Sequence, residues 1–332
     1  MRDVVKPVRF TSVVLITERQ LLAFASLLQA LEQETPSRPS SLPIRHLLVA
    51  VPTHYWGDVA KEKKDKALRL QETIRSLLAM AAPTLQTLAL YGTHFDVVAP
   101  EFTFPLLEAL CVERFNIMRK DFSILPSLRR LHLTEYSGWP GFWTLLAQAA
   151  PALTHIRLTG LSQDVDLPRI IRNLLDLPVP DTPETRMSLD LIPPYPPGAP
   201  EAAAADALSS LRTIIVEPHE YQGGGFCGTG MIMHIQMKCG LGATAQECKQ
   251  GLGRGVLYLL PDTAGYPVSE ARREWLKLVE GGSGPWVTPE ERAVRPPLAA
   301  AAVVRKPTMT TRINSALRSA QNSIKSRMRG GK

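Results

Sequence analysis

PTLQTLAL (Pro83–Leu90), PLLEALCV (Pro105–Val112), PSLRRLHL (Pro126–Leu133) and PALTHIRL (Pro151–Leu158) share one pattern: Pro, any residue, Leu, two variable residues, an aliphatic, one variable residue, an aliphatic. The second half of each copy alternates apolar and variable side chains, the period of a strand with one buried face. The Pro disfavours helix at the residue before it and lacks the N–H that a helix would use, so it marks the break between a preceding helix and the strand. Looser copies lacking the Pro occur as FTSVVL from Phe10, IRHLLV from Ile44, MSLDL from Met187 and LRTIIV from Leu211.

Outward from these copies, Glu72–Met80 (ETIRSLLAM) and Phe142–Ala150 (FWTLLAQAA) space apolar residues three and four apart among good helix formers. The unit is therefore helix, Pro, short strand, loop. Counted from the apolar residue that opens each copy, the intervals from Phe10 to Leu153 are 34, 41, 22, 21 and 25 residues. The shorter ones fall in the range of about 20 to 29 residues per leucine-rich repeat. Gln33–Leu42, Lys61–Lys66 and Pro193–Pro200 are expected to be inserted loops. The expected fold class is α/β, an irregular leucine-rich-repeat solenoid with parallel strands on a concave face and helices on a convex one. Solenoid is expected over 1–291, with its clearest repeats at 83–160, a Gly- and Cys-rich irregular part at 219–255 and a closing strand–helix cap at 256–291.

Bulk properties narrow the function classes. The 332 residues are 45% apolar, ordinary for a globular chain. No apolar run approaches the ~20 residues of a membrane helix. The opening residues lack the long apolar stretch of a secretory signal, so an intracellular location, cytoplasm or nucleus, is expected. Four widely spread cysteines predict reduced thiols, not a disulfide framework. The net charge of +7 suggests nucleic acid until it is mapped along the chain. Ten Lys and Arg and no acid follow Glu291, so the preceding 291 residues sum to −3, or 28 basic against 31 acidic. The basicity belongs to a tail, 292–332, expected to be disordered or a basic amphipathic helix through Ile313, Leu317, Ile324 and Met328.

APTLQTLALYG, EFTFPLLEAL, LPSLRRLHL and APALTHIRL, together with VLYLLPD from Val256, EWLKLVEGGSGPW from Glu274 and PEERA, resemble the repeat region and closing segment of the F-box and leucine-rich-repeat proteins of mushroom-forming fungi. The resemblance spans roughly 8–295. It implies a repeat domain that selects substrates for a cullin-type ubiquitin ligase, with an F-box recruiting the ligase scaffold. No Leu-Pro-x-Glu opening precedes Phe10, so the adaptor role is expected only if an F-box is supplied elsewhere.

In a strand-lined solenoid the residues flanking the buried fourth position of each copy point onto the concave face. The candidates for binding a partner there are His46, Thr87, Cys111, Arg130, His132, His155, Arg157 and Thr213. Arg130, His132, His155 and Arg157 would cluster as a basic patch suited to an acidic protein surface. Cys111 is expected to be a surface thiol, since nothing in the sequence supplies the electropositive site that would activate it beside His132.

No catalytic residue, cofactor or metal is expected. Cys227, Cys239 and Cys248 are too far apart for the close pairs of a zinc site. GLGRG at Gly251 precedes a strand where a phosphate loop would follow one, and it is expected, with QGGGFCGTG, to be a flexible loop. The expected function is a non-enzymatic, monomeric scaffold for protein–protein interaction. Nucleic-acid or anionic-membrane contact through the tail, and a hydrolase using Cys111 or a residue of the Gly-rich segment, are the alternatives.

Overall fold

The computed structural model describes residues 11–34, 44–52, 61–93, 95, 102–113, 124–136, 141–161, 164–178, 206–221 and 229–287. The Cα positions separate into two units, 1–289 and 290–332. The tail and the MSLDL segment lie outside the described residues, as do Pro193–Pro200 and the Gly-rich run 222–228.

The described residues form an α/β fold around one eight-stranded sheet in which every strand pairs, in parallel, with the strand next in sequence. The strands are β1 (Ser12–Leu15), β2 (His46–Ala50), β3 (Thr87–Tyr91), β4 (Ala109–Val112), β5 (Arg130–Thr134), β6 (His155–Leu161), β7 (Thr213–Pro218) and β8 (Val256–Leu259). The helices are α1 (Glu18–Glu34), α2 (Lys61–Ala81), α3 (Phe142–Ala149), α4 (Leu167–Leu174), α5 (Thr229–Lys249) and α6 (Val268–Val279), followed by a 3₁₀ turn at Gly284–Trp286.

Register aligns the repeated positions across the whole sheet. Val13, Leu47, Leu88, Leu110, Leu131, Ile156, Ile214 and Leu257 are neighbours in one row. All of them are buried in the main core, with Leu70, Ile74 and Leu77 of α2 and Leu146 of α3. A one-residue slip in any strand would turn its apolar set to the other face, so this row fixes the register.

The Pro of the motif has a local role as well. In three copies it stands second in a four-residue turn, closed by Leu107 N–H to Phe104 O, Leu128 N–H to Leu125 O and Leu153 N–H to Ala150 O. Its fixed φ suits that position. One backbone device then recurs along most of the sheet. The carbonyls of Arg45, Gln86, Glu108, Arg129 and Thr154 each accept two N–H groups from the start of the next strand, such as Gln86 and Thr87 on Arg45.

Two expectations are corrected. Lys61–Lys66 is the first turn and a half of α2, where its exposed charges lie on the solvent side of a helix whose buried side chains begin at Ala67. Within the stretch expected to be irregular, 219–255, residues 229–249 form helix α5. His234, Met237, Leu241, Thr244, Ala245 and Cys248 bury one face of it at spacings of three and four. A further glycine on this helix serves packing: Gly240 lies so close to α4 that an added Cβ would sit 2.9 Å from the Pro168 ring.

Candidate functional site

The face of the sheet opposite the main core carries the odd positions of the strands. Its first row runs Ser12, His46, Thr87, Ala109, Arg130, His155, Thr213, Val256, and its third row Val14, Leu48, Ala89, Cys111, His132, Arg157, Ile215, Tyr258. Of the eight expected binding residues, five stand in the first row and three, Cys111, His132 and Arg157, in the third.

The middle of the third row, Leu48 to Ile215, is buried, and the chain itself covers part of it, while Val14 and Tyr258 at its ends are half-buried. After β8 the backbone returns over the sheet, and α6 packs on β2 and β3 while the 3₁₀ turn packs on β6. Ala271 and Trp275 of α6 join Leu48, Ala50, Ala89, Tyr91 and Cys111 in a second buried cluster, distinct from the main core. Cys111 is therefore a buried thiol and not a surface one. Burial is the largest of the influences that push it up to about 12, with Glu274 adding and Arg157 opposing. A thiol held there is protonated at neutral pH and is no nucleophile in this state.

Arg157 is the hub of the covered region. Its side chain is fully buried, and Nη1 donates to Glu274 Oε2 at 2.8 Å and to the carbonyl of Pro285 at 2.7 Å. Nη2 donates to Glu217 Oε2 at 2.6 Å. Tyr266 donates its hydroxyl proton to the same Glu274 oxygen at 2.6 Å, and its ring lies 5.3 Å from the guanidinium carbon. Burial acts to lower the Arg157 pKa, but Glu274, Tyr266 and Glu217 outweigh it and the net direction is upward. The guanidinium is a permanent cation, and two carboxylates answer it within the fold.

His132 is also buried, with Nε2 2.8 Å from the Thr159 hydroxyl and its ring edge-on to Tyr266 at 4.8 Å. The expected basic patch of Arg130, His132, His155 and Arg157 is thus divided. Arg157 is neutralised and His132 enclosed, while Arg130 and His155 stay half-exposed in the first row.

The first row and the strand starts ahead of it are rich in Arg and His. Arg45, Arg129 and Arg212 are exposed just before β2, β5 and β7, beside half-exposed His46, Arg130, His155 and Thr213; Thr87 is buried. Among the described residues none of Arg45, Arg129, Arg130 and Arg212 is ion-paired. Burial, and after it Arg45, lowers the pKa of His46; burial, and after it Arg130, lowers that of His155. Both imidazoles therefore favour the neutral form beside these arginines.

No family model, curated protein or solved structure matches this chain. Among the described residues no group of three or more His, Cys, Asp and Glu side chains is arranged to hold a metal ion. Cys239 is exposed on α5 and Cys248 is buried beneath it. Lys238 Nζ meets Asp262 Oδ2 at 2.6 Å, with His234 4.0 Å from the same oxygen, a tie between α5 and the end of β8. No described helix is long and apolar enough to cross a membrane.

Sequence reasoning missed Glu217, Tyr266, Glu274 and Trp286, which complete the third row's surroundings. The segment containing Glu274 and Trp286 was visible as a closing cap. Nothing local says that it turns onto the strand face rather than capping the end of the sheet.

Proposed function

We propose that this chain is a non-enzymatic interaction scaffold of the leucine-rich-repeat kind, a solenoid whose strand face is concave, and that it grips an acidic protein surface along the first row. The observation that supports this reading is the register-matched margin formed by His46, Arg130, His155 and Thr213, half-exposed where the chain covers the next outward-facing row and preceded in sequence by exposed Arg45, Arg129 and Arg212. Cations repeated on rigid strand starts make a fixed line of charge, which favours fast encounter with an anionic partner and selects against basic ones. The strands lie about 4.8 Å apart, so side chains on neighbouring strands serve one extended segment of a partner.

The resemblance to fungal F-box repeat proteins supports a substrate-recognition role for a cullin-type ligase, with the F-box supplied elsewhere. The test is quantitative capture from the native cell with the full chain and with an Arg129→Glu/Arg130→Glu variant, whose fold is checked by circular dichroism. A partner lost at least tenfold in the variant supports the reading, and ligase scaffold subunits among the captured proteins support the adaptor role. A partner set unchanged by the charge reversal, or lost completely on removing 296–332, overturns binding through the margin.

A further inference from the structure

We propose that the third row of the sheet is a helix-binding groove which the chain fills with its own segment Tyr266–Val287, and that this segment detaches as a unit while the eight-stranded sheet stays folded. The groove is a second surface, next to the basic margin but separate from it. The occupant that fits it is an amphipathic helix with a carboxylate followed by a large aromatic, the pair that Glu274 and Trp275 supply in the closed chain.

The cluster beneath α6 is small and stands apart from the main core on the other face of the sheet. Lifting α6 removes Ala271 and Trp275 from Leu48, Ala50, Ala89, Tyr91 and Cys111 and leaves the row from Val13 to Leu257 untouched. A unit that shares few buried contacts with the rest opens at a lower cost than the whole.

On separation Arg157 Nη1 loses its two acceptors, Glu274 and the Pro285 carbonyl, while Nη2 keeps one carboxylate. When Glu274 leaves, Arg157 keeps Glu217 at 2.6 Å, so the cation under the segment is not stranded. Glu274 returns to water, and the attraction lost with it is offset by its recovered hydration.

The segment also carries two buried indole donors, Trp275 Nε1 and Trp286 Nε1, with no hydrogen-bond acceptor among the described residues. A buried donor without an acceptor raises the energy of the closed state, and on opening both regain water. Trp286 rests between His132 and His155 at ring separations of 6.3 and 6.4 Å, which places the end of the segment beside the first row. Opening would therefore uncover His132 beside the first row.

Cys111 reports the state of the groove, because it lies under the segment, whereas Cys248 lies in the main core and Cys239 is exposed. The full chain is treated with a small thiol reagent under native conditions and the label is assigned by peptide mapping. In parallel, amide exchange is followed for α6 and for β6.

Expected is immediate labelling of Cys239, and labelling of Cys111 at least tenfold faster than of Cys248, with α6 amides exchanging through the same opening as Cys111 and β6 amides staying protected. Glu274→Gln should speed Cys111 labelling several-fold without changing β6 exchange. A synthetic peptide of residues 266–287 added to that variant should slow it again.

Cys111 and Cys248 reacting at one rate, with α6 and β6 exchanging together, would show the segment to be part of the global fold and overturn the proposal. Failure of the peptide to protect Cys111 would overturn the groove. The inference rests on the strand face being a binding face. Loss of that reading would show in the capture experiment, with Cys111 kinetics unaffected.

Discussion

Arg157 on β6 and Glu274 on α6 are 117 positions apart in sequence and joined by a 2.8 Å charged hydrogen bond in a site closed to solvent. The bond ties the last helix to the centre of the strand face. Arg157→Ala would leave Glu217 and Glu274 buried without their cation, a loss of about 3–5 kcal/mol for breaking a buried pair from one side. Urea unfolding should read that loss as a lower midpoint. Glu274→Leu should cost less, since Arg157 keeps Glu217. Equal losses in the two variants would refute the assignment of Arg157 as the hub.

Two glycines eleven and thirteen residues into α5 should respond in opposite directions to alanine. At Gly240 an added Cβ would lie 2.9 Å from both Cβ and Cγ of Pro168, and a proline ring has little freedom to yield. Overpacking of that kind costs about 1–3 kcal/mol, more than the helix propensity gained. At Gly242 a Cβ meets nothing within 4 Å. Gly242→Ala should therefore stabilise by about 0.5–1 kcal/mol. Thermal unfolding of the two variants checks the pair, and the same sign for both would contradict the described packing of α4 on α5.

Leu131 stands at the middle of the buried row, with Leu110 and Ile156 on its two sides. Leu131→Ala should cost about 2–5 kcal/mol, the range for a fully buried leucine whose cavity closes only in part. Leu68 on α2 is 55% exposed, and its replacement by Ala should stay within about 0.5 kcal/mol of neutral. Chemical denaturation separates the two cases.

These variants also mark how much could be read from the chain alone. Leu131 and its neighbours in the row were legible, because alternation and the Pro-x-Leu turn are local signals repeated every 21 to 25 residues in the central copies. The direction of the second face was legible for the same reason, since the period of a strand assigns every other residue to it. Its exposure was not. Whether Cys111, His132 and Arg157 meet water depends on where residues more than a hundred positions later come to rest, and Glu274 and Trp275 bear no local mark of that. Helix α5 was missed for a different cause. Its glycines are poor helix formers in isolation, and Gly240 is required by the closeness of Pro168, a constraint that only tertiary structure reveals.

The two histidines of the first row connect stability to pH, and the sign follows from their surroundings. His46 faces the Thr87 hydroxyl at 3.2 Å, with Arg45 as the nearby cation, and His155 faces the Thr154 hydroxyl at 2.8 Å, with Arg130 nearby and Trp286 against its ring. Burial comes first and the neighbouring arginine second in lowering both pKa values below 6.5. Between the lowered folded value and about 6.5 the unfolded chain binds more protons than the folded one. Their contribution to stability is therefore complete above about pH 6.5 and is lost as the pH falls through that value towards the folded pKa values. Proton NMR should place both imidazole midpoints below those of an unfolded peptide. A His46→Gln/His155→Gln variant should unfold with a flatter pH dependence just below about pH 6.5 than the parent. Midpoints at or above the ordinary value would mean that an acid, not Arg45 or Arg130, governs these rings, and the basic character of the margin would fail with them. Below its midpoint each ring adds a positive charge to the arginine line, so an acidic partner held there should bind more tightly on acidification even as the fold loses stability.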